Sequence, residues 1–159
     1  MNFIKNTFLA ILFPALFLFA TPFWANAQTV VTDGNLTATF SNSPLFTAPD
    51  TSNLAPGNAV IGTVIIENTG SEIESVLFAV ANESDTGLAS GVELVISESG
   101  IELYKGTFAD FFTDSPITVD TIDAEDSKTY TLTATFLDSS NDTYQGTSMG
   151  FDLLVGFAS

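Results

Sequence analysis

A chain of 159 residues with nineteen acidic side chains, three lysines, no arginine, no histidine and no cysteine carries a formal charge of −16. That inventory excludes a disulfide framework, a Ser/His/Asp or Cys/His nucleophile and a histidine-held zinc. It also makes nucleic acid and anionic membranes poor partners, because binding phosphate takes Lys and Arg.

Met1–Ala27 has the features of a secretory leader, with Gln28–Ser159 as the mature domain. Lys5 is the only charged side chain in the leader, and Phe8 to Ala20 is an apolar run broken only by Pro14. That run is short of the ~20 residues needed to span a bilayer. Ala25-Asn26-Ala27 is a small-x-small cleavage site. Removing 27 of 159 residues leaves 132, enough for one domain with its own core. The mature chain keeps two lysines against nineteen carboxylates, a formal charge of −17. It is expected outside the cell, with no membrane insertion after cleavage.

The mature chain alternates with period two almost throughout, which predicts strands. Leu36, Ala38 and Phe40 share one face of a first strand. Ser41 to Asn58 is a Ser/Pro/Asn/Asp-rich connection that carries the apolar pair Leu45-Phe46. Val60, Val64 and Ile66 point inward on the next strand, and Gly62 leaves a gap on that face. Ile61 and Ile65 occupy the other face, so this strand is central or its second face meets a partner. Ser75 to Ala81 is a further apolar strand, and Asn82 to Gly91 a turn-rich break. Val92, Leu94 and Ile96 alternate with Glu93 and Ser97. Ser99-Gly100 makes a tight turn, after which Ile101, Leu103 and Lys105 return antiparallel.

Phe108, Phe111 and Phe112 are spaced for one helical turn plugging an end of the core. Ile117, Val119 and Ile122 form another strand. Tyr130, Leu132, Ala134 and Phe136 alternate with threonines. Met149, Phe151, Leu153, Val155 and Phe157 share a face of the last strand. Seven to nine short strands predict an all-β, antiparallel, jelly-roll-like sandwich.

No carboxylate pair stands out for general acid–base work, so the chain is not expected to be an enzyme and requires no cofactor. Asp120, Asp123, Glu125 and Asp126 form an acidic loop, with Asp138 and Asp142 in the following turn. Loop carboxylates of this kind can supply oxygens to Ca²⁺, although the spacing is not that of an EF-hand. A solvated turn in which the side chains cap backbone groups is the alternative. Asn35, Asn82 and Asn141 each begin an N-x-S/T sequon.

Two blocks carry a family resemblance. One is Leu54-x-Pro56-Gly57 with the strand to Glu67-Asn68 and Gly70-Ser71. The other is Asp142-Thr143-Tyr144-Gln145-Gly146 with the alternating final strand. Leu36-Thr37-Ala38-Thr39-Phe40 adds a strand of the expected type before the first block. Together they resemble the TasA/camelysin family of secreted β-sandwich proteins, some of which build extracellular matrix fibres. The resemblance implies a jelly-roll-like sandwich exported by a Sec-type route. It also implies polymerisation by an N-terminal strand that completes the next subunit's sheet. Here that donor is Gln28, Thr29, Val30, Val31 and Thr32, with the two valines as anchors. The partner is a second copy or a related matrix subunit. The metalloprotease label attached to camelysin finds no histidine and no zinc motif to support it. A monomeric secreted or surface adhesin domain, with or without calcium dependence, is the other reading.

Overall fold

The computed structural model describes residues 24–27, 35–42, 45–46, 55–137, 144 and 146–158, with backbone only at 24–27 and 157–158. The strands among them are β1 (Trp24–Ala27), β2 (Leu36–Phe40), β3 (Ala59–Asn68), β4 (Glu74–Asp85), β5 (Val92–Glu98), β6 (Ile101–Thr107), β7 (Ile117–Ile122), β8 (Ser127–Phe136) and β9 (Met149–Ala158). Helix α1 (Phe108–Asp114) lies between β6 and β7.

The strands form two sheets, ordered β1-β9-β4-β7 and β2-β3-β8-β5-β6. With β2 set aside as an added edge strand, the other eight, renumbered along the chain, run 1-8-3-6 and 2-7-4-5. That is the strand order of a double-sheet jelly roll. The pairings are antiparallel except one: β1 runs parallel to β9.

Alternation builds the core. On β3, Val60, Val64 and Ile66 are buried, whereas Ile61 and Ile65 stand 62% and 46% exposed. The gap at Gly62 is filled by Leu45, for a Cβ on Gly62 would lie 2.5 Å from Leu45 Cγ. Leu45 and Phe46 therefore belong to the core although the connection around them is polar. The two sheets meet through Phe78 of β4 and Tyr130 of β8, edge to face at 5.8 Å. At the other end α1 closes the sandwich, with Phe108 and Phe111 fully buried and Phe108 5.2 Å from Phe151. A capping box starts this helix. Thr107 Oγ1 accepts from the Asp110 N–H at 3.1 Å, and Asp110 Oδ2 accepts from the Thr107 N–H at 2.9 Å. Ser99 and Gly100, both with positive φ (49° and 81°), make the hairpin turn from β5 to β6.

One strand boundary is corrected. The break expected at Asn82 begins later, because β4 continues to Asp85. Asn82 adopts a left-handed φ of 51° inside a bulge, after which Ser84 and Asp85 pair with Gly150 and Met149. An Asn tolerates that conformation and a bulge absorbs the extra residue, so polar residues continue the strand. The antiparallel return from Ile101 is as expected, with Glu98 paired to Ile101, and Ile101 stands 65% exposed beside the turn on the edge strand β6.

Candidate assembly edge and acidic clasp

β9 lies second from one edge of its sheet, between β4 and β1. Its inner face buries Met149, Phe151, Leu153 and Val155, as the alternation predicts. On the opposite face Asp152 is 8% exposed and accepts a 2.6 Å hydrogen bond from Asn82 Nδ2. The other side of β9 is covered by β1, in the register Trp24↔Gly150, Ala25↔Phe151, Asn26↔Asp152 and Ala27↔Leu153. This strand is made of the last four residues of the expected leader, including both small residues of the cleavage site. No strand is expected there from sequence, because Trp24–Ala27 reads as the end of an address. The expected donor, Gln28–Thr32, lies outside the described residues.

The acidic residues divide into two groups. Asp120 is not a loop residue but part of β7. A bulge leaves Val119 without a partner between the pairs Leu77↔Thr118 and Val76↔Asp120, which shifts the alternation by one residue. Asp120 consequently joins Ile122 on the inner side, where β8 meets it. Lys128 Nζ donates to Asp120 Oδ2 at 2.8 Å and to the Thr121 carbonyl at 2.7 Å. The Tyr130 hydroxyl donates to the same Asp120 oxygen at 3.2 Å, and the Thr121 N–H donates to Oδ1 at 2.7 Å. Burial works against the Asp120 charge, but these hydrogen bonds and the Lys128 charge outweigh it and hold the carboxyl below its ordinary value. The hydrogen bond to Asp120 raises Lys128 in turn, against a smaller burial effect. Burial, then the Asp120 charge and hydrogen bond, push Tyr130 well above the usual tyrosine range. The three groups form one clasp between the sheets.

Asp123, Glu125 and Asp126 are exposed in the turn that follows. Asp126 Oδ1 accepts from the Ser127 N–H at 2.7 Å, its own N–H donates to the Asp123 carbonyl at 3.3 Å, and Glu125 has φ 59°. These are turn-forming contacts of the kind Asp makes with its own backbone. Asp138 and Asp142 lie outside the described residues. Among the described residues, no group of three or more His, Cys, Asp or Glu side chains is placed to hold a metal ion. Among the same residues, no helix is long and apolar enough to cross a membrane.

The C-terminal block of the resemblance has a packing role in part. Tyr144 lies over Gly91, where a Cβ would come within 2.7 Å of its ring, and it meets Phe136 edge to face at 5.8 Å. Compared with known proteins, the chain matches no family model and no curated protein.

Proposed function

We propose that this chain is a structural subunit of an extracellular filament or matrix, assembled by strand donation at the β9 edge. One observation carries the reading. The first strand position of the jelly roll is filled by four residues, running parallel to β9, that belong to the segment expected to be removed on export. A regular jelly roll has an antiparallel strand in that position. Parallel pairing is slightly weaker per residue, and a four-residue ladder is short. Losing it would leave N–H and C=O groups of Gly150–Leu153 unpaired beside an apolar inner face.

Gln28–Thr32 would begin the chain after cleavage. Donated antiparallel to β9 of another copy, it would satisfy the edge and restore the regular order. Successive residues of a strand face opposite sides, so one of Val30 and Val31 would enter the core and the other would face outward. The partner is a second copy or a related matrix subunit. The chain's chemistry supports this structural role rather than catalysis, with no histidine or cysteine to serve as base or nucleophile.

Electron microscopy of the purified chain beginning at Gln28 tests the reading. Fibres are expected, and they should form faster as salt or acid reduces the repulsion between subunits of charge −17. A chain that stays monomeric at every salt concentration would favour a surface adhesin instead.

A further inference from the structure

The outer face of the five-stranded sheet has a property the assembly edge does not explain. Its centre is Ile61, Thr63 and Ile65 on β3, directly paired with Thr133, Thr131 and Thr129 on β8. No charged side chain lies among these six, although the chain carries nineteen carboxylates. The carboxylates of this face stand at its margin. Glu67 ends β3, Glu102 lies on the edge strand β6, and Glu93 is matched by Lys105 at 3.4 Å. The isoleucines stand out, at 62% and 46% exposure.

A cationic partner would be drawn to the acidic surfaces, whereas a partner of the same negative charge is least repelled here. The pattern also reads the same in both directions. Isoleucines flank a threonine on β3, and threonines flank a threonine on β8. A two-fold axis along the β3–β8 seam sets Ile61 over Thr133 of the second copy and Ile65 over its Thr129. That places large on small, as facing sheets require, and makes the patch complementary to itself. Strands β2, β3, β8 and β5, of 5, 10, 10 and 7 residues, give a face of roughly 500 Å² at ~4.8 Å spacing and ~3.4 Å rise. Two such faces bury roughly 1,000 Å², about the least that a specific interface needs.

We infer that this neutral Ile/Thr face is a side-to-side interface between two copies of the chain. It is independent of the β9 edge, which joins copies end to end in the proposed filament.

The test compares the purified wild-type chain with Ile61→Thr/Ile65→Thr and with Thr131→Lys. The first variant keeps β-branched residues on the strand, and the second places a charge at the centre of the patch. Circular dichroism checks the fold of each. Sedimentation equilibrium at 0.5 M salt reads association of unpolymerised protein, and electron microscopy reads fibre width. The expected result is a wild-type dimer whose dissociation constant rises at least tenfold in both folded variants. Where fibres form, laterally paired wild-type fibres should become single in the variants. Fibres that stay single in the wild type with no dimer in solution would overturn the inference and leave end-to-end assembly standing. Unchanged association in either folded variant would overturn it as well. Wild-type dimers without fibres would uphold the face and count against the filament.

Discussion

Asp120 of β7 and Lys128 of β8 meet at 2.8 Å across the two sheets, and the Tyr130 hydroxyl donates to the same carboxylate oxygen from 3.2 Å. The side chains of the pair are about a quarter exposed, 22% for Asp120 and 26% for Lys128. Replacing Asp120 by Ala leaves the Lys128 ammonium and the Tyr130 hydroxyl short of an acceptor at the inter-sheet boundary. The expected loss is about 1–3 kcal/mol, typical of a charged hydrogen bond that leaves its partners behind. Urea denaturation measures it. A double-mutant cycle with Lys128→Ala should return a coupling of about 1 kcal/mol, above an ordinary surface pair. Additivity of the two substitutions would show that the pair does not act as a clasp.

The clasp also fixes a pH dependence. Asp120 is held below its ordinary value, so near pH 4 the unfolded chain binds more protons and the Asp120 contribution grows as pH rises. It is fully present above the unfolded value and is lost as pH falls through the folded one. Lys128 and Tyr130 are both raised, so their contribution is present below about pH 10 and is lost as pH climbs beyond it. The stability difference between wild type and Asp120→Asn should therefore be a plateau through neutral pH that falls away at both ends. Chemical denaturation across pH checks this, and a difference independent of pH would contradict it.

Gly62 is required by close approach rather than by backbone conformation. A Cβ there would meet Leu45 Cγ and Cδ1 at 2.5 Å and the Leu45 carbonyl at 3.2 Å. Gly62→Val should cost about 1–3 kcal/mol as an overpacked core. Adding Leu45→Ala should recover part of that loss by making room, a non-additivity that thermal or urea unfolding would detect.

The strands were legible because burial on one face imposes a period of two, seen most plainly on β3, β8 and β9. Three features were not legible, each for a physical reason. The bulge at Val119 turns Asp120 inward, and a one-residue shift leaves no mark in an alternating pattern. Leu45 enters the core from a polar connection; its signal was the paired Leu45-Phe46 together with the unfilled position at Gly62. β1 lies in a stretch whose composition speaks of export, so its pairing with β9 could only emerge from the backbone. Of the candidate site residues, Asp120 acquired a structural role in the clasp. Asp123, Glu125 and Asp126 lie together in one exposed turn.

Cleavage after Ala27 is a separate expectation. The intact mass of the protein recovered outside producing cells should correspond to a chain beginning at Gln28. A mass that retains Met1–Ala27 would keep β1 in place and leave the β9 edge covered.

Strand donation is tested most directly by comparing the chain beginning at Gln28 with the same chain lacking Gln28–Thr32, in negative-stain electron microscopy. The longer chain should form fibres and the shorter none, with the β-sheet circular dichroism of the monomer retained. Burying the inward valine contributes roughly 1.5–3 kcal/mol, to which main-chain pairing adds. Replacing both Val30 and Val31 by Asp should therefore mimic the deletion, since a buried unpaired charge is strongly disfavoured. Normal fibres from the chain lacking Gln28–Thr32 would contradict assembly by strand donation.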